Sequence, residues 1–381
     1  MKKSLLVVLC LVLAIAMVFV GCDKADTPAD DGGDDTAAAD DSGSDAADDS
    51  GSDDTATVDD GGDDAPADKI SMVFIPKNLG NPYFEAIEKG FNDAIAELGE
   101  DKFEFLFTGP ATAEATSQIE YIEAAVQNGA DIIFIAANSN DALNGTFDDA
   151  RAAGTKIVII NQDIPGSEDR RDGSILPTNF ANVGKAQIKL LSELIDGEGE
   201  FAILSATTDA PDQNVWIADM QDEVENNPDY ANMTLVEVVY GDDQPEKSTT
   251  EMEALLTKYP DLRGVIAPTT VGVSAAAKVI QNKGLADQVE LTGLGLPSEM
   301  EEFILDGSCE AMQLWNPPYE GYLATYLAYE IVMNGFEIAE GATFSAGKLG
   351  DYTFGADNIL ITLEDPMTYD PSNIEEYAAL F

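Results

Sequence analysis

From residue 70 onward, apolar positions follow two alternating patterns. Short runs rich in β-branched residues, at Ile70–Pro76, Phe103–Phe107, Asp131–Ala137 and Lys156–Ile160, predict strands. The runs DIIFIAA and KIVII are apolar throughout, the pattern of strands buried on both faces. Between them, apolar residues recur three and four apart, which predicts helices. The first opens at Asn81-Pro82, with Asn as cap and Pro near the first helical position. Its stripe is Phe84, Ile87, Phe91, Ala94, Ile95 and Leu98, and Gly99 stops it. Ile119, Ile122 and Val126 mark a second helix, and Asp141–Ala153 a third. The alternation then returns, with strands at Phe201–Ser205, Leu235–Tyr240, Gly264–Ala267 and Val289–Gly293. Helices fall at Val215–Val224, Thr249–Tyr259, Val271–Asn282 and Ser298–Leu305. Two such blocks predict an α/β protein of two doubly wound parallel-sheet lobes.

The start of the chain departs from this pattern. Lys2 and Lys3 precede an apolar run from Leu5 to Val20 and then Gly21-Cys22, the layout of a secretion signal over residues 1–22. The run is too short to read as a spanning helix. Phe19-Val20-Gly21-Cys22 resembles a lipobox, with small Gly21 fitting and Phe19 replacing the usual Leu. That resemblance implies lipidation of Cys22 and an extracytoplasmic, membrane-anchored location. Residues 23–68 carry eighteen Asp and one Lys with almost nothing apolar, which predicts a self-repelling, disordered acidic tether. Carboxylate runs attract calcium, but the EF-hand spacing is absent, so a spacer is the simpler reading.

Composition removes several functions. With 72 Asp and Glu against 19 Lys and Arg, the net charge is −53, which argues against binding a phosphate backbone. The absence of histidine excludes His-based triads, His general bases and His-ligated zinc. Cys10 leaves with the signal, Cys22 would be acylated, and Cys309 is alone, so no intrachain disulfide is expected. The acids are numerous, yet no spacing singles out a catalytic pair. Neither an enzyme, a metal site nor a cofactor is expected. Gly293-Leu294-Gly295 lacks the third glycine of a dinucleotide loop, and Asn144-Gly145-Thr146 fits a glycosylation triplet by chance.

Right-handed crossovers place strand C-terminal ends along one edge of each sheet, where α/β proteins bind ligands. The residues that follow the strands therefore matter most. They include Lys77 to Phe84, Asn138 to Asp141, Asn161-Gln162-Asp163, Thr207 to Gln213, Tyr240 to Asp243, Pro268-Thr269-Thr270, Leu294 to Pro297 and Leu314 to Pro317. Amides, hydroxyls, carboxylates and aromatic rings dominate, the lining that a small polyhydroxyl ligand requires. Each also has a plainer role: Phe84 lies on the core stripe, Asp212 and Gln213 could cap a helix, and Thr269 and Thr270 could be an N-cap pair. Asn161 and Asp163 could form Asx turns, with Asn161 the better ligand candidate, and Trp315 could pack a hinge.

Over about residues 69–365 the chain resembles the type 1 periplasmic-binding-protein family, the solute receptors of sugar ABC importers. The motifs are PKNLGNPYF at 76–84, NGADIIFIAANSNDAL at 128–143, LSATTDAPDQNVW at 204–216 and YGDDQPEKS at 240–248, followed by APTTVGVSAAA at 267–277, TGLGLPSEM at 292–300 and LWNP at 314–317. They are most similar to rhamnose-binding receptors, with the autoinducer-2 receptors as the neighbouring branch. The resemblance implies that Lys77, Asp212, Gln213 and Pro268 contact ligand. Asn161 and Thr270 depart from the Asp and Ala of the autoinducer-2 branch and favour a deoxyhexose. It further implies sugar contacts from Tyr83, Phe84 and Trp315, and Asn81, Thr269 and Asn316 complete the candidate set. The implied organisation is an N-terminal lobe of 69–178 and 315–347 and a C-terminal lobe of 179–314 and 348–381. Hinge segments near 177–181, 312–316 and 346–354 would join them. A monomeric receptor would close on a monosaccharide such as rhamnose and deliver it to a membrane permease, or present a sugar or autoinducer-2 to a sensor.

Overall fold

A computed structural model of the chain describes residues 69–380. The secretion signal, Cys22 and the acidic tether lie outside the described residues. The first half runs β1 (Ile70–Ile75), α1 (Pro82–Leu98), β2 (Phe103–Phe107), α2 (Ile119–Gln127), β3 (Ile132–Ile135), α3 (Asn144–Ala152), β4 (Lys156–Ile160) and β5 (Gly173–Leu176). The second runs α4 (Phe180–Leu194), β6 (Glu198–Ser205), α5 (Pro211–Asn226), β7 (Asn232–Tyr240), α6 (Pro245–Lys258), β8 (Leu262–Ala267), α7 (Thr270–Lys283), β9 (Glu290–Gly293) and α8 (Pro297–Leu305). The chain ends with β10 (Met312–Leu314), α9 (Pro317–Asn334), β11 (Thr343–Ser345), β12 (Asp351–Thr353), β13 (Ile359–Ile361), β14 (Met367–Tyr369) and α10 (Ile374–Ala378).

Two parallel sheets result. The six-stranded one has the order β13-β5-β4-β3-β1-β2, and the four-stranded one β7-β6-β8-β9. Strand alternation explains the all-apolar runs. Ile70, Met72 and Phe74 of β1 enter one core cluster, while Val73 and Ile75 enter the other with residues of α2 and α3. Both faces of the first sheet are thus covered by helices, as a parallel sheet requires.

The C-terminal region differs from the expected division. The family resemblance implies that 348–381 belongs to the second lobe, but β13 pairs in parallel with β5 in the first sheet. Only after β13 does the chain pass to the second half, where β14 pairs antiparallel with β10. The third connection therefore falls between β13 and β14 rather than at 346–354, and it runs beside the first, with Asn179 N–H donating to Leu363 O at 3.0 Å. Residues 346–354 instead include β12 of the β11–β12 hairpin. The cause is local: three-residue strands carry too little periodicity to be assigned a sheet.

One helix contact fixes the floor of the first half. A Cβ at Gly90 of α1 would stand 1.9 Å from Pro318 O, and one at Gly321 of α9 2.1 Å from Ile87 O. Only glycine permits backbone to meet backbone at both points. Gly321→Ala must push α9 away from α1, and we expect it to lower stability by about 1–3 kcal/mol in chemical denaturation. The same shift would disturb Tyr83 and Glu320, which these two helices carry.

Candidate functional site

The C-terminal strand edges of the two sheets face one cavity. From the first half, Lys77 follows β1, Asn81, Tyr83 and Phe84 form the start of α1, and Asn161 follows β4. From the second, Asp212 and Gln213 lie in the first turn of α5, and Pro268, Thr269 and Thr270 span the β8–α7 junction. Trp315 lines the cavity from the β10–α9 connection. Asn316, the twelfth residue singled out from the sequence, does not line it; it occupies the N-cap position of α9 with its Oδ1 buried and unpartnered. Asp163 is also elsewhere, held by the buried Arg171 through contacts of 2.5 and 2.6 Å.

An ion pair crosses the cavity. Lys77 Nζ donates to Asp212 Oδ1 at 2.7 Å and Oδ2 at 2.8 Å, with both side chains buried. Among the described residues, Lys77 is the one cation in the cavity wall, so the pair consumes its positive charge. Its backbone is fixed from behind. Gln118 Nε2 donates to Pro76 O and Ala136 O at 2.8 Å each, tying the ends of β1 and β3, and Asn138 Nδ2 donates to Lys77 O at 2.9 Å. A second bridge joins Thr270 Oγ1 to Asn81 Oδ1 at 3.3 Å, the same oxygen that caps α1 by accepting from Tyr83 N at 3.1 Å.

Tyr83 centres a buried network. Its hydroxyl meets Asn161 Oδ1, Glu320 Oε1 at 2.8 Å and Trp315 Nε1 at 2.6 Å. Glu320, on α9, is fully buried, and burial drives its carboxyl well above the usual carboxylate range. It therefore stays protonated and supplies a proton to the Tyr83 oxygen, which also accepts from the Trp315 indole. Tyr83 then gives its own proton to Asn161, so two lone pairs and one hydrogen are all used. Burial also raises the Tyr83 phenol well above its ordinary value, keeping it neutral. Asn161 holds a left-handed backbone, φ 71°, which asparagine tolerates better than other side chains. Phe84 packs edge-on against Tyr83 at 5.3 Å between ring centroids.

The opposite wall is anchored to the second sheet. Gln213 Oε1 accepts from Ser205 Oγ at 2.6 Å and Ala206 N at 2.7 Å, which pins the start of α5 to the end of β6 and leaves Nε2 free. Thr269 donates its hydroxyl to Asp243, whose carboxyl is pushed up by burial. Thr269 sits at the N-cap position of α7, but its side chain makes no cap. Asp243, Leu294, Leu314 and Trp216 complete the lining; the first three lie in strand-following segments named from the sequence, but none of the four was among the candidate ligand residues. Two had a usable signal: Trp216 follows Asp212 and Gln213 at helical spacing, and Asp243 ends a loop after a strand. Glu320 had none, because nothing marks one glutamate among many as buried. Cys309 is buried, which drives its thiol up to about 12 and leaves it unreactive at neutral pH.

Comparisons with known proteins agree with this architecture. Residues 72–335, which include every cavity-lining residue, match the model of the periplasmic binding protein domain. An ABC transporter solute-binding protein from Clostridium phytofermentas, solved with bound L-rhamnose, is 34% identical, with a TM-score of 0.77 over 83% of this chain and all of that one. A sugar ABC transporter protein from Actinomyces odontolyticus is 38% identical, with a TM-score of 0.64 over 81% of this chain and 97% of that one. A D-ribose/D-allose-binding protein of Pseudomonas aeruginosa is 25% identical over 254 residues, 63% of this chain and 75% of the relative. The paired parallel sheets, the cavity at their facing strand tips and the extent of these matches lead to one assignment: the chain belongs to the periplasmic binding protein family, type 1, whose members bind solutes without transforming them.

Proposed function

We propose that the chain is an extracytoplasmic receptor of an ABC importer that encloses one neutral monosaccharide, L-rhamnose or a similar deoxyhexose, and passes it to a membrane permease. The observation that carries this reading is the charge state of the cavity. Its cation is bound by Asp212, burial raises Asp243, and the remaining polar lining is amide, hydroxyl and indole. Such a wall matches hydroxyl groups and offers nothing to neutralise an anion. The bound L-rhamnose of the 34% identical protein supports the same substrate class.

In this reading, Asp212, the free Nε2 of Gln213 and Thr270 address sugar hydroxyls from one side, and Asn81 and Asn161 from the other. Tyr83, Phe84 and Trp315 supply aromatic surface to the C–H faces, and Pro268 and Thr269 shape the floor. The two halves, hinged at the three connections, act as lobes that open to release the sugar. The ligand shifts that balance by its differential affinity for the closed form. Lipidation at Cys22 would hold this monomeric receptor at the membrane through the acidic tether.

Calorimetry of the purified protein against L-rhamnose, D-ribose, D-xylose, autoinducer-2 and L-rhamnonate tests the reading. L-Rhamnose is expected to bind most tightly, and the aldonate about a hundredfold more weakly or worse, because its carboxylate meets no free cation. Autoinducer-2 as the tightest ligand would move the protein to a signal receptor. Binding of no neutral sugar would overturn the substrate reading.

A further inference from the structure

Asp212, Gln213 and Trp216 are spaced three and four apart on α5, so they share one helix face, the face that lines the cavity. Two of the three already have protein partners. Asp212 takes Lys77, and Gln213 Oε1 takes Ser205 and Ala206. Trp216 is different. Its side chain is held edge-on by Phe180, at 5.0 Å between centroids, and by Trp315 at 6.0 Å. The residue is 2% exposed, yet its indole Nε1 is buried with no hydrogen-bond partner. Among the described residues, no other cavity-lining side chain has a buried polar atom without a partner. The other indole in the wall, Trp315, spends its N–H on Tyr83.

An indole N–H is a donor only, and leaving one buried and unpaired costs stability. Resting on the sugar-binding reading, we propose that Trp216 is a specificity-determining residue whose Nε1–H donates to one oxygen of the bound sugar. It would select the ligand that places a hydroxyl or ring oxygen, as acceptor, at that point of the wall. The requirement is directional: a sugar that presents a C–H there would leave the donor unsatisfied, so the indole rejects deoxy positions and epimers as well as rewarding the correct one.

The chain contains two tryptophans, so ¹⁵N-tryptophan labelling gives two indole resonances, assigned by Trp216→Phe. Saturating L-rhamnose is expected to move the Trp216 indole proton downfield and slow its exchange, while the Trp315 proton, already bonded, shifts less. Trp216→Phe removes the donor and keeps an aromatic ring. It should weaken L-rhamnose binding about two- to tenfold. It should also abolish the affinity penalty for one, and only one, monodeoxy analogue, a signature that loss of packing would not produce. If Trp216→Phe fails to fold, the resonances of the unsubstituted protein still decide. Binding with an unmoved Trp216 resonance would overturn this proposal alone. No binding of any neutral sugar by the unsubstituted protein would overturn it together with the substrate reading.

Discussion

Lys77→Met is expected to weaken sugar binding by two orders of magnitude or more while the unfolding temperature falls by only a few degrees. The two effects separate because of where the partner lies. Removing one member of a buried ion pair costs about 3–5 kcal/mol, since the remaining charge is stranded away from water. Here the stranded group would be Asp212, which belongs to the opposite half of the molecule. If the halves part, Asp212 regains water, so the penalty falls on closure and hence on binding, whereas folding is largely spared. A loss of about 3–5 kcal/mol at the closed state corresponds to roughly 10²- to 10³-fold or more in affinity. Lys77→Met combined with Asp212→Leu removes both charges and should recover part of closure but not of affinity. Calorimetric titration and scanning calorimetry on the same samples read both quantities. A variant that binds within threefold of the original would contradict the role given to this pair.

Glu320→Gln is expected to stabilise the protein, and by more as pH rises. Below the ordinary glutamate value of 4.5, both the folded and unfolded forms of Glu320 carry a proton, and the substitution gains nothing on this account. Above it, the unfolded chain ionises while burial keeps the folded group protonated. The folded state then holds more protons than the unfolded one, so stability declines with pH until the raised folded value is reached. Each pH unit in that window costs up to about 1.4 kcal/mol, and glutamine, with no proton to lose, is spared it. The glutamine amide can also donate to the Tyr83 oxygen in place of the acid. Glu320→Ala, by contrast, leaves a cavity and removes the donor, and should lose about 2–4 kcal/mol at low pH. Denaturant titrations at pH 5, 7 and 9 check both variants. A difference between Glu320→Gln and the original protein that stays flat with pH would show that Glu320 ionises in the folded state.

The two predictions rest on residues that differ in how visible they were from the sequence. Lys77 was legible because β1 is an apolar run that ends at a defined point, so the next polar residue had to stand at a sheet edge. The same logic located Asn161 after β4 and the Pro268–Thr270 segment after β8. Asp212 and Gln213 were also found, but as loop residues. In the structure they lie in the first turn of α5, which starts at Pro211 and not at Val215. Moving the helix start back by four residues puts Trp216 on their face, which explains why Trp216 was not singled out with them. Helix α9 was missed because it is buried nearly all round over its first turns, so it shows no amphipathic stripe, and Glu320 was lost with it. The β5 and β13 strands were too short to carry a period, and the site of the third connection could not be read without them.

The most direct test of enclosure of a neutral sugar between facing strand tips is a crystal structure of the protein grown with L-rhamnose. The account predicts one intact sugar in the cavity between Tyr83 and the first turn of α5, with the Lys77–Asp212 contact maintained beside it. A sugar bound elsewhere on the protein, with this cavity left to water, would contradict it.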